Sequence, residues 1–94
     1  MLPGLLERSI RNVIEETLQN NDETTITQLI EEHEKHYHIL IKQISTATRS
    51  DLEALNQQKN KTYMFKHAYK AALAKQQRNQ ELYENHVQQA INIK

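Results

Sequence analysis

The placement of glycine and proline constrains the fold of this chain more than any other feature. The 94 residues contain one proline and one glycine, Pro3 and Gly4, so no strong helix breaker follows position 4. The β-branched residues are scattered among Glu, Gln, Lys, Ala and Leu, which favour helix. The sequence therefore predicts an all-α fold. Pro3 suits the first turn of the first helix, because the N–H that proline lacks is not needed there.

Three helices are predicted from apolar residues that recur every three or four positions, separated by polar turns. Capping boxes at Thr25–Gln28 and Ser50–Glu53 mark the starts of the second and third helices. We expect a single helical domain, 1–94, with helix 1 at about 3–19, helix 2 at about 25–46 and helix 3 at about 50–92.

The third helix is predicted to be one rod of roughly 40 residues. The residues that would face a neighbouring helix, here called the seam, recur from Leu55 to Ala90 at alternating spacings of three and four. No shift of phase interrupts this pattern. The alternative is a break near 76–79, where the stretch Gln-Gln-Arg-Asn is entirely polar.

Charge is split along the chain although the formal net charge is zero. Residues 1–34 carry eight acidic and two basic side chains, and 35–94 carry ten basic and four acidic ones, which gives −6 and +6. A turn near residue 48 would place the acids at 22–34 opposite the bases at 59–75. We therefore expect helices 2 and 3 to form a long antiparallel, coiled-coil-like hairpin, either in a three-helix bundle or as half of a dimeric bundle. Ala68, Ala71 and Ala72 are predicted to let these two helices approach closely.

A thin core and an uncovered helix end predict a protein partner. Apolar residues make up 37% of the chain and aromatic residues 5%, which is little for a monomeric core. Helix 2 is about half as long as helix 3, so it leaves 76–92 uncovered. We expect a non-enzymatic protein–protein interaction module of the adaptor, chaperone-like or assembly-subunit kind, which binds another helical protein or a second copy by helix packing. The predicted partner-binding residues are Leu5, Ile14, Leu18, Tyr83, Val87 and Ile91.

The alternative function is that of a small nucleic-acid-binding regulator. The stretch 59–78 has six bases, three interleaved aromatic residues and no acid. Such a stretch would contact phosphates, although it holds one arginine and no helix-turn-helix spacing. Its predicted contacts are Lys59, Lys66, Lys70, Lys75 and Arg78.

Three histidines in six residues, His33, His36 and His38, suggest a metal site. At 100° per residue, however, they point in different directions, and Tyr37 occupies the i+4 position that a zincin-type pair needs. We therefore predict no metal site. His33 and His86 lie on seam positions, where a charged imidazole would lose its hydration. We therefore expect the hairpin or dimer to loosen in mild acid.

Catalysis, cofactors and membranes find no support in the sequence. There is no cysteine, no glycine-rich loop, and the adjacent carboxylates diverge on a helix. We expect neither an enzyme nor a cofactor. The longest apolar run is Ile39-Leu40-Ile41, too short to span a membrane, and the first residues lack a secretory signal pattern. The expected location is the cytoplasm.

Overall fold

The computed structural model describes residues 3–92, and this part of the chain is an all-α bundle. It contains four helices, and no strand occurs between residues 3 and 92. The all-α prediction is confirmed. The helices are α1 (Pro3–Asn20), α2 (Glu23–Thr46), α3 (Arg49–Gln76) and α4 (Gln80–Ile91).

The expected single rod over 50–92 is wrong, because the chain breaks at residues 77–79. Arg78 adopts a left-handed conformation with φ 60°. The Asn79 N–H donates to the Ala74 carbonyl at 2.9 Å, which closes the end of α3. The Asn79 side chain then caps α4 by accepting from the Leu82 N–H at 3.1 Å. An unbroken seam therefore coexists with a sharp turn, and the alternative of a break at 76–79 describes the chain.

The caps of α2 and α3 also differ from the predicted capping boxes. Asp22, not Thr25, is the N-cap of α2, and its carboxylate accepts from the Thr25 N–H at 2.8 Å. Thr48, not Ser50, precedes α3, and its hydroxyl donates to the Asp51 carboxylate at 3.1 Å. The Asp22 carboxylate ahead of the first box already supplies the capping oxygen, so α2 begins earlier. At α3 the Thr48 carbonyl, not its side chain, accepts the first backbone bonds, from the Asp51 and Leu52 N–H groups at 3.1 Å.

The longest helix, α3, is central. Its 28 residues give a helix roughly 42 Å long. The longest dimension of the molecule is 43 Å, so α3 runs along its whole length. On one side α2 packs antiparallel to it: His33 lies 5.0 Å from Tyr69 and Tyr37 lies 5.7 Å from Tyr63, ring centre to ring centre. The predicted hairpin is therefore present.

The main core lies between α1, α3 and α4, on a face of α3 made of alanines. Small side chains let the flanking helices approach closely, and the buried side chains of α1 and α4 fill the space that they leave. The prediction that these alanines admit α2 is wrong, because they pack against α1 and α4. The cluster comprises Ile10, Ile14, Ala68, Ala71, Ala72, Ala74, Tyr83, Val87 and Ala90.

Arg11 fastens α1 to α4 at the edge of this core. Its guanidinium donates to both carboxylate oxygens of Glu84, at 3.3 and 3.1 Å, and to the Tyr83 hydroxyl at 3.1 Å. A fourth bond joins the guanidinium to Glu7 within α1. A forked guanidinium suits such a shared site better than an ammonium group would. Helix 1 therefore packs on its own chain.

Replacing Arg78 by glycine tests the break directly. At φ 60° a side chain is strained and glycine is not, so Arg78→Gly should raise the free energy of unfolding by about 0.5–1 kcal/mol. In a continuous helix the same change would lower it by about 1 kcal/mol. Urea unfolding monitored by circular dichroism distinguishes the two. Gln58→Gly, at an exposed position inside α3, is the control that should destabilise.

Candidate functional site

The residues predicted to bind a partner lie mostly inside the molecule. Ile14 and Val87 are fully buried and Tyr83 is 5% exposed. Leu18 and Ile91 are half-buried and pack against the same core. Of the six, Leu5 alone is exposed. The surface was predicted on the premise that 76–92 stands uncovered. Residues 80–91 instead form α4, which folds back on α3 and buries its own apolar face.

The basic stretch is partly engaged within the chain. Lys70 pairs with Glu34 at 3.1 Å, and Lys75 pairs with Glu15 of α1. Lys66 lies over the rings of Tyr37 and Tyr63, at 4.6 and 5.2 Å from their centres, and burial lowers its pKa. The remaining two members of the set, Lys59 and Arg78, form no ion pair between residues 3 and 92. Charge matching between α2 and α3 is thus limited to Glu34–Lys70 in the described range, since Lys75 turns to α1.

The three clustered histidines do not converge. His33 is half-buried beside Phe65 and Tyr69, and its Nδ1 lies 2.8 Å from the Leu29 carbonyl oxygen. His36 and His38 are exposed. No group of three or more His, Cys, Asp or Glu side chains is placed to hold a metal ion within residues 3–92. This geometry agrees with the diverging directions that helical spacing predicts.

A shallow groove follows α3 between α1 and α2. Phe65 and Tyr69 form its floor, with His33 on the α2 side and Val13 and Thr17 on the α1 side. Burial raises the pKa of Tyr69. The groove brings an aromatic floor near water, and among its lining residues no nucleophile lies beside a base.

The other exposed feature is the end of the α2–α3 hairpin, here called the hairpin arm, residues 35–61. Along α3 the first buried residue is Thr62, and the alanine face lies beyond it at 68–74. The contact of His67 with His86 places α4 against that later part of α3. In the arm, α2 and α3 therefore have mainly each other to pack against.

Exposed apolar side chains concentrate on this arm. Of the five large hydrophobic side chains that stand exposed between residues 3 and 92, three are here: Ile39 at 51%, Ile41 at 42% and Leu52 at 36%. Scattered exposed hydrophobics are normal on protein surfaces, so their relative positions decide whether they form a surface.

Ile41 and Leu52 lie on the same side of the hairpin, and Ile39 lies elsewhere. The Glu34–Lys70 ion pair marks one side. Ile41 follows Glu34 by seven residues, and Leu52 precedes Lys70 by eighteen, so each projects in almost the same direction as the paired residue on its own helix. Ile39 is two residues from Ile41, about 200° around α2, and faces outward from the hairpin.

The arm is also basic. It carries five basic and two acidic side chains, a net charge of +3 with neutral histidines. None of these five bases forms an ion pair inside the described range, in contrast to Lys70 and Lys75. Exposed apolar groups combined with unpaired positive charge are suited to an acidic, amphipathic partner. The bases are Lys35, Lys42, Arg49, Lys59 and Lys61.

A pair of histidines joins α3 to α4. His67 and His86 stack with ring centres 5.1 Å apart, and their Nδ1 atoms are 3.0 Å apart. One ring donates and the other accepts, which requires an unprotonated Nδ1 on the acceptor. Burial, followed by the charge of nearby Lys66, lowers the pKa of His67 from 6.5 to about 4. Burial likewise lowers the pKa of His86.

Comparisons with family models, with curated proteins and with solved structures found no match to this chain. Within residues 3–92, no helix combines the length and the apolar character needed to cross a bilayer.

Acid should weaken the fold through the His67–His86 contact. The pKa of His67 is lower in the folded than in the unfolded state, so below pH 6.5 the unfolded chain binds a proton that the folded chain does not. The free energy of unfolding is therefore highest above pH 6.5 and falls as the pH approaches 4. For His67 the loss should approach about 3 kcal/mol at the acidic end. Lys66 and Lys70 of α3 add repulsion there, and Glu34 of α2 opposes it. The measurement is the free energy of unfolding in urea at several pH values.

His67→Asn is the matched variant. Its amide places a nitrogen or oxygen where histidine carries Nδ1, so it bonds to His86 without titrating. It should lose clearly less stability than the wild type between pH 7 and 4.5, whereas His36→Asn, at an exposed position, should behave like the wild type. Equal pH slopes for the wild type and His67→Asn would contradict this account.

Proposed function

We propose that this chain is a non-enzymatic protein–protein interaction module, of the adaptor or assembly-subunit kind, that holds an acidic amphipathic helix of a partner protein on its hairpin arm. The observation that carries the proposal is the shared side of Ile41 and Leu52. Both side chains are exposed, Ile41 on α2 and Leu52 on α3, in the part of the hairpin that α4 does not reach. A partner helix laid along this side would bury them by ordinary helix packing.

The charge of the arm supports an acidic occupant. Lys59 lies seven residues after Leu52 and therefore on the same face of α3, two helical turns farther along. It is half-buried and has no carboxylate partner in the described part of the chain. A carboxylate on the partner would satisfy this ammonium group, and a basic partner would be repelled.

The nucleic-acid alternative has less support. Three of the five bases assigned to it are engaged with Glu34, Glu15 or aromatic rings inside the chain. A phosphate would have to compete with those contacts before it released counterions. Enzyme function is not proposed, because the grooves between residues 3 and 92 place no activated nucleophile or acid–base pair.

Site-specific photo-crosslinking tests the proposed surface. A photoreactive phenylalanine analogue at position 52 or 41, in cells that produce the protein, should form an adduct whose partner peptide maps by mass spectrometry to an acidic amphipathic helix. Lys59→Glu in the same chain should lower the adduct yield severalfold, because it places like charges together at the contact.

The control position is Leu82, which is exposed at 39% but lies on α4, away from the arm. Adducts formed equally from positions 82 and 52 would show that exposure alone drives the capture. Adducts with nucleic acid would favour the alternative function, and the absence of any protein adduct from both arm positions would refute the proposal.

A further inference from the structure

The outer face of α2 carries a stripe of exposed residues that is complementary to itself. The members recur at steps of four and three, so they form one line along the helix. They project away from the α3-facing positions Leu40 and Ile44. All six are exposed, and this set is called the α2 outer stripe: Gln28, Glu32, Lys35, Ile39, Lys42 and Thr46.

The complementarity appears when a second stripe is turned antiparallel about its midpoint, residue 37. Glu32 then faces Lys42 of the other copy, and this pair occurs twice by symmetry. Ile39 faces Lys35, whose methylene stem covers apolar surface while its ammonium group stays in water. The remaining pair, Gln28 with Thr46, is polar and uncharged. Every position meets a compatible one.

A parallel arrangement has the opposite result. It would place Glu32 against Glu32 and each lysine against its own copy, so like charges would meet at three of the six positions. The stripe therefore favours one orientation strongly over the other. Ile39, the most exposed large hydrophobic in the described residues at 51%, lies close to the symmetry axis.

We infer that two copies of the chain pair antiparallel along the α2 outer stripe, around a two-fold axis near residue 37. The inference goes beyond the proposed function, since it names a second copy of the chain as a further partner. It uses a different side of α2: Ile39 meets the second copy, and Ile41 with Leu52 remains free for the acidic helix.

The pairing should be weak and dependent on concentration. A single pair of helices buries less area than a standard stable interface, and its two ion pairs lie in water. Added salt should weaken it further, because exposed charges are screened. The mass should rise from 11.1 kDa toward twice that value as concentration increases.

Charge exchange at the stripe is the test. Sedimentation equilibrium at low salt should show the wild type dimerising. Lys42→Glu or Glu32→Lys alone should weaken the dimer about tenfold or more, because each places like charges together twice. The double variant Glu32→Lys/Lys42→Glu exchanges the two signs and should restore dimerisation. Lys61→Glu and Glu53→Lys, exposed and off the stripe, are controls that should change little.

A wild-type chain that remains at 11.1 kDa up to its solubility limit would overturn the inference. So would a dimer that the single variants leave intact or that the double variant fails to restore. Neither result bears on the acidic partner, because crosslinks from positions 41 and 52 report on the other side of the hairpin. Monomers that still crosslink there would end this inference and keep the proposed function.

Discussion

The turn at residues 77–79 is the constraint on which the rest of the structure depends. Nothing in the apolar seam interrupts α3 there, but the left-handed Arg78 and the capping side chain of Asn79 redirect the chain. Because α4 reverses, its buried residues Tyr83 and Val87 lie on the alanine face of α3. Without the reversal, that face would need another helix to cover it.

The reversal also decides which surfaces remain for function. Two helices, α1 and α4, cover the later part of α3, and Arg11 joins them to each other. The acids and bases around this core largely satisfy one another, as in the Lys75–Glu15 pair. The hairpin arm lies beyond their reach, so three of its apolar side chains stay exposed and its five bases form no ion pair within residues 3–92. A covered alanine face and a free arm are thus two consequences of one chain reversal.

The sequence was sufficient for the fold class, which follows from helix propensity. The α2–α3 hairpin was predicted from the opposite charges of its two helices, although Glu34–Lys70 is the one ion pair that joins them within residues 3–92. The sequence was insufficient for the turn. Gln77 and Arg78 have ordinary helix propensities, and the signal that mattered was local: Asn79 can cap a new helix three residues before Leu82. The seam continued through the break because residues on both sides face the same core, once from α3 and once from α4.

The predicted partner surface failed for the same reason. Periodicity identified Ile14, Tyr83 and Val87 correctly as residues that need a neighbour, but it does not say whether the neighbour belongs to the same chain. His67 was missed because it lies off the predicted α3 seam, although His86 was recognised. Spacings of three and four identify the residues that face one neighbouring helix, whereas α3 contacts three helices, α1, α2 and α4. Residues that face the other neighbours, such as His67, therefore do not belong to the pattern. The arm could be located only after the lengths of α3 and α4 were known.

The most direct test of the account is the distance between the early part of α3 and the end of α4. The chain has no cysteine, so spin labels can be attached to cysteines introduced at the exposed positions Gln58 and Gln89. Pulsed electron–electron double resonance then measures their separation. The folded-back helix predicts a distribution centred below about 25 Å. A distribution centred near about 46 Å, the length of a continuous helix between these positions, would contradict the reversal and the hairpin arm with it.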